Sequence, residues 1–236
     1  VTRDVTSSTE AVVRQVWAGR LRTTPRTLET AGPVFIERPD LTAAVVVRLR
    51  GTIAVAAPEG ALSLLRHLES PQLLDVAALL GALEPARPSL LGAASLSFAD
   101  RGTVSRGGEG TARAATGAEI AAVLCRCSAA EVEESGLARM STRCVVHADT
   151  GAPAAAAGYE TWGSALAHLG VAVADGSRGR GLGAQAAAAA TLHALGAGLV
   201  PQWRCRVDNV ASARVAESVG FVRLGDQVAI DLAPSP

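Results

Sequence analysis

The first hundred residues alternate between short β-branched runs and leucines at helical spacing. Segments 41–48 and 51–57 are rich in Val and closed by Pro58, so they read as two strands. Segments 60–69 and 73–83 place Leu on one helical face. Pro71 separates them, and Pro85 and Pro88 end the second. A weaker alternation over 91–99 predicts a third strand. Segment 101–110 holds Gly, Arg and Ser with no apolar anchor, which marks an exposed loop and a domain boundary. The expected division is a smaller N-terminal α/β module over 1–100 and a larger domain over 101–236.

Beyond the boundary the pattern changes. Residues 117–134 carry Ile120, Val123, Leu124 and Val132 on a helical repeat, which predicts one helix stopping at Ser135-Gly136. Segment 143–148 is a strand of Cys and Val, Asp149-Thr150-Gly151 is a turn, 153–162 is extended, and 166–173 is a buried strand. A nearly pure Ala segment, 184–195, comes next as a buried helix. A further strand is expected over 202–207.

Composition narrows the chemistry. Among 236 residues, 49% are hydrophobic, 19% are charged, and 22 basic residues balance 22 acidic ones. Global disorder needs the reverse balance. A neutral chain with seven aromatics lacks both the basic surplus and the stacking platform of a nucleic-acid binder. Every cation is Arg; with no Lys, a Walker-type phosphate loop and a pyridoxal phosphate Schiff base are both excluded. No apolar run reaches the roughly 18–20 residues of a membrane span, and residues 1–10 lack a secretory pattern. Four cysteines, Cys125, Cys127, Cys144 and Cys205, are too few for a disulfide scaffold. Cytoplasmic localisation with reduced thiols is expected.

The segment from Asp175 to Gly183 (DGSRGRGLG) joins a strand to the Ala-rich helix. A glycine-rich turn opening a helix is an anion site, because the first N–H groups of the helix have no intrahelical acceptor and the dipole adds positive charge. Arg178 and Arg180 could add bidentate charge to a phosphate. A dinucleotide fingerprint is formally present as Gly179-x-Gly181-x-x-Ala184. However, it begins too far beyond Val173, and no acidic residue stands about 20 positions on. A third reading, an acyl-CoA pyrophosphate loop, rests on a family resemblance.

Arg178-x-x-Gly181-x-Gly183 resembles the Q/R-x-x-G-x-G/A motif of the GNAT superfamily of N-acetyltransferases. The segment after 202–207 resembles that family's closing element: Asn209 at a strand end, a helix with a small residue, then Gly220-Phe221. Gly183 and Asn209 stand 26 positions apart in the expected order. The resemblance covers about residues 90–232. It implies an α/β (α+β) fold with a mixed, mostly antiparallel acyltransferase sheet flanked by helices; the N-terminal module would be a degenerate, GNAT-like half. It further implies acetyl-CoA as co-substrate, its pantetheine arm lying between two splayed parallel strands. Backbone groups of Gly170, Val171, Ala172 and Val173 would bond the pantetheine amides. Amides of Arg178, Gly179, Arg180, Gly181, Leu182, Gly183 and Ala184 would hold the pyrophosphate. Asn209 would reach the pantetheine or cap the last helix, with Ser212 one turn later.

The implied reaction is attack of an acceptor amine on the thioester. Glu160 and His168 are the candidate bases, and Tyr159 is a candidate donor to the departing thiolate. Many family members carry a Tyr where this chain has Ala216, so a non-catalytic acyl-CoA sensor is the alternative; a nicotinamide enzyme is a more distant one. Glu133 and Glu134, at a helix end, could select a cationic amine. His67 has no partner at ligand spacing, and Cys125-x-Cys127 lacks a second pair, so no metal site is expected. Cys144 and Cys205 read as packing residues. The expected partners are acetyl-CoA and an amine, without nucleic acid or membrane. The assembly is expected to be a monomer or a homodimer, since the apolar first half could bury a dimer face.

Overall fold

The computed structural model describes residues 4–104 and 112–232. Most of the expected 101–110 loop therefore lies outside the described residues. Within them the chain forms seven α-helices and ten strands, mixed α/β with mostly antiparallel pairing. The described residues fall into two compact units. One comprises 4–12, 97–104, 112–204 and 209–222; the other comprises 13–96, 205–208 and 223–232. Neither unit is one stretch of chain.

The second unit contains most of helix α1 (Ser7–Leu21), strands β1 (Gly32–Glu37), β2 (Ala43–Leu49) and β3 (Thr52–Ala57), and helices α2 (Glu59–Leu65) and α3 (Val76–Ala82). Strand β4 (Ser89–Phe98) belongs to it up to Leu96. β1 pairs with β3 in parallel, and β2 pairs with β3 antiparallel. The chain's last strand, β10 (Val222–Asp231), returns to pair with β2 from Gly225↔Leu49 to Asp231↔Ala43. Every residue of β3 is buried, and Val46, Val55, Val228 and Ile230 pack with Leu62, Leu65, Leu73, Leu79 and Leu83. The leucine spacing read from sequence is thus the helical face that covers this sheet. Helix α1 and strand β1 were not expected; Val13, Val16, Trp17 and Leu21 form the buried face of α1.

In the first unit, strands β5 (Arg113–Ala114), β6 (Thr142–His147), β7 (Pro153–Trp162), β8 (Leu166–Val173) and β9 (Val200–Arg206) lie in the order β9-β8-β7-β6-β5. All neighbours are antiparallel except β8 and β9. The single helix expected over 117–134 is two, α4 (Gly117–Leu124) and α5 (Ala129–Ser135). The break has a local cause. Ser128 and Glu131 form a capping box, each side chain taking the other's backbone N–H, so a new helix starts there. Thr116 and Glu119 do the same for α4. The last two helices are α6 (Leu182–Gly196) and α7 (Val210–Val219).

Successive residues of β8 point to opposite faces. A Cβ on Gly170 would lie 1.8 Å from the Ser135 carbonyl oxygen at the end of α5. A Cβ on Gly183, in α6, would lie 2.8 Å from a Val173 methyl. Helices α5 and α6 therefore sit on opposite faces of β8, both close to it because the contact residues have no side chain.

Candidate functional site: a forked strand pair ending in a glycine-rich turn

The parallel pair β8–β9 has three rungs: Leu166↔Val200, Ala167↔Pro201 and His168↔Gln202. Beyond His168 the pairing stops, although both strands continue. Between them opens a cleft of about 440 Å3. Leu169 to Val173 line one side, Trp203 and Arg204 the other, and Asn209, Ala211, Ser212 and Val215 extend the wall into α7. Trp203 is fixed by its indole N–H, which donates to Ser212 Oγ at 3.0 Å, and by edge-on packing against Phe221.

At the wide end the cleft meets the turn after β8, where Ser177, Arg178, Gly179, Gly181, Leu182, Gly183 and Ala184 line it. Gly181 is the N-cap of α6, with φ +75° and no side-chain cap bond. A side chain would be strained in that left-handed conformation. The first amides of α6 therefore face the cleft end without a side-chain acceptor, as an anion site requires.

The two arginines of the turn already have partners. Arg178 pairs with Glu131 at 2.9 Å, and Arg180 pairs with Asp149 at 2.7 Å. Glu131 sits below the usual carboxylate range, first because Ser128 N–H and Oγ–H donate to it, then because of Arg178. Across the cleft, Asn209 Oδ1 accepts from Ser212 N–H, so it is the N-cap of α7, while its Nδ2 donates to Glu134 at 3.1 Å. Cys127, half-buried, lines the same cleft, and burial raises its thiol pKa.

Glu160, His168 and Tyr159 do not line the cleft. His168 is nearest to it in the chain, on the last rung before the fork; its Nδ1 lies 3.3 Å from Gln202 Nε2, and its ring stacks on Trp162. Glu160 is opposite His168 on β7, exposed, and accepts the Trp162 indole N–H. Tyr159 is buried, with its hydroxyl 3.0 Å from His193 Nδ1 on α6. Ala216 is buried in α7. Cleft residues not anticipated from sequence include Cys127, Glu131, Ser177, Trp203, Arg204 and Val215. Of these, only Glu131 carried a readable signal, its place in a Ser-x-x-Glu capping box. Among the described residues there is no cluster of three potential metal ligands, and no helix is long and apolar enough to cross a membrane.

The site is thus a parallel strand pair that forks over the uncapped start of a helix. Residues 119–221 match the acetyltransferase (GNAT) family, and the chain carries a GNAT acetyltransferase domain there. Over nearly its whole length the fold is similar to a GCN5-related N-acetyltransferase-like protein from Streptococcus suis 89/1591, with TM-score 0.51, 15% identity, and 94% of this chain and 98% of that chain covered. An acetyltransferase of the GNAT family from Colwellia psychrerythraea matches with TM-score 0.48, 16% identity, and 61% and 57% coverage. A GCN5-related N-acetyltransferase from Kribbella flavida matches with TM-score 0.47, 16% identity, and 68% and 64% coverage. The match spans less than two thirds of these last two proteins. No curated protein sequence matches the chain.

Proposed function

We propose that this protein binds acetyl-CoA in the β8–β9 fork and transfers the acetyl group to an acceptor amine. The observation that carries this reading is the end of the strand ladder at His168↔Gln202, directly upstream of bare amides at the start of α6. A pantetheine arm supplies the amides that the unpaired β8 edge lacks beyond the fork, from Leu169 to Val173. The pyrophosphate then falls on the amides from Arg178 to Ala184, and Asn209 and Ser212 close the far wall. Binding exchanges the carboxylate partners of Arg178 and Arg180 for phosphate oxygens.

With the phosphates at the wide end, the thioester lies toward the fork, next to Leu169. There the amine nitrogen attacks the thioester carbon, the C–S bond breaks, and the CoA thiolate leaves. His168, on the last rung, takes the amine proton through water, with Glu160 across the rung as the second acid-base group. Tyr159, directed toward His193, reaches the thiolate only through a rearrangement or a water chain. Every donor-binding residue of this reading belongs to the first unit.

Isothermal titration with acetyl-CoA tests the reading. Saturable binding is expected, with at least about a hundredfold loss in the Arg180→Glu, Gly183→Glu double variant, which replaces both the cation and the bare amide surface. Absence of binding to folded protein removes the proposal. One feature favours a second reading, an acyl-CoA sensor without turnover: Ala216, where the family resemblance leads one to expect a tyrosine, is a buried alanine without a donor group. Release of free CoA thiol with a panel of amines separates the two.

A further inference from the structure

The fork has a different chemistry on each face of the sheet. On the α6 face lie the turn and its amides, suited to a polyanion. On the α5 face lie two carboxylates, Glu131 and Glu134; the neighbouring Glu133 does not line the cleft. Glu131 is already engaged by Arg178 and by its capping box.

Glu134 is placed differently. Its partner, Asn209 Nδ2, is a neutral amide, and no cation pairs with it among the described residues. It stands in the last turn of α5, which contains no basic residue. Glu134 is solvent-exposed on the cleft wall, with Glu133 adjacent in the chain. A carboxylate on the wall of a cleft whose only partner is a neutral amide is open to a cationic ligand entering that cleft.

We propose that Glu134 is a specificity-determining residue, and that the acceptor is a small amine bearing a second, cationic group. The nitrogen that attacks must be unprotonated. The charge held by Glu134 is therefore not that of the reacting nitrogen but that of another group on the same molecule, as in a diaminoalkane. This inference rests on the acyl-transfer reading given above.

Three amines of equal chain length test it: 1,5-diaminopentane, pentylamine and 5-aminopentanoate, whose far ends are cationic, neutral and anionic. Each is titrated calorimetrically into the protein with and without acetyl-CoA, and turnover is followed in parallel. The diamine is expected to bind about fivefold tighter than pentylamine, the scale of an exposed ion pair, and the amino acid weakest. Glu134→Gln keeps an oxygen for Asn209 but removes the charge, and should bring the diamine-to-pentylamine ratio close to one; Glu133→Gln should leave that ratio unchanged. A purely structural role would move the unfolding temperature and all three amines together, not the ratio. Equal affinity for diamine and pentylamine in the wild type, or a preference that survives Glu134→Gln, overturns the inference. Failure of acetyl-CoA to bind overturns the proposed function instead, and the amine titrations without donor still decide the role of Glu134.

Discussion

Each unit contains one parallel strand pair with a helix after it, and the two pairs have opposite fates. In the second unit β1 and β3 stay in register for six rungs, from Gly32↔Thr52 to Glu37↔Ala57. In the first unit β8 and β9 part after three. The connection leaving each strand explains the contrast. After β3 comes Pro58, which starts α2 at once and has no N–H to offer a ligand. All six residues of β3 are buried, and Ile53, Val55 and Ala57 pack with Leu62 and Leu65, so the strand is core. After β8 comes a turn with three glycines before α6, Gly176, Gly179 and Gly181, all at positive φ. The same backbone device is thus a packing element in one place and a cleft in the other, decided by whether the connection buries side chains or exposes amides.

The largest effect that tests this contrast is on stability. Leu62→Ala removes a side chain with no solvent exposure from the second unit's core, and should cost about 2–5 kcal/mol in denaturant unfolding. The acetyl-CoA affinity of the remaining folded protein should not change; a parallel loss of affinity would mean that the zipped pair contributes to the donor site after all. Next is Gly181→Ala. Open space surrounds the missing Cβ, so the cost is conformational, from φ +75°. Roughly 1–2 kcal/mol of strain should appear as acetyl-CoA binding weakened about tenfold by titration. Unchanged affinity would show that the turn does not hold the phosphates.

Acid titration gives a smaller effect, and one shared by both units. In the first, Glu119 is lowered to about 2, chiefly by the Arg113 guanidinium and then by Thr116. In the second, Asp40 is lowered to about 2, chiefly by Arg38. A carboxylate with a depressed folded-state pKa stabilises the fold fully above its unfolded value, and that contribution fades as pH falls through the folded one. Thermal melts of Glu119→Gln and Asp40→Asn should therefore lie below wild type at pH 6 and converge with it as the pH approaches 2. A gap that persists there would point to packing rather than charge.

How much of the molecule was legible beforehand depends on the range of the forces involved. Strands β2, β3 and β6 to β8 and helix α6 could be read from local period and from glycine punctuation, which act within a few residues. β1 could not, because Val34-Phe35-Ile36 is a short run behind Pro33. What makes β1 a strand is its pairing with β3, twenty positions away. The split between α4 and α5 was readable in Ser128-x-x-Glu131, and the apolar repeat running across the break concealed it. The glycine-rich turn was visible because its signal is local. The fork was expected only through the family resemblance, because where β9 parts from β8 is a tertiary fact that local pattern does not carry. That is why Trp203 and Arg204 were missed, and why Tyr159, Glu160 and His168, close in sequence to the cleft wall, stand outside it.

The smallest predicted effect separates the turn's own affinity from the contacts that hold it in the free protein. Glu131 does two things at once: its carboxylate closes the capping box of α5 and neutralises Arg178. Glutamine serves the first role as well as glutamate does but cannot serve the second. Glu131→Gln should therefore leave α5 in place and release Arg178 for phosphate. An exposed pair of this kind is worth at most about 1 kcal/mol, so acetyl-CoA should bind tighter by no more than about fivefold, and the gain should shrink as salt is raised. A gain is the informative sign, because damage to the site can only weaken binding. Weaker binding in this variant would mean that Glu131 orders Arg178 for the donor, rather than competing with it.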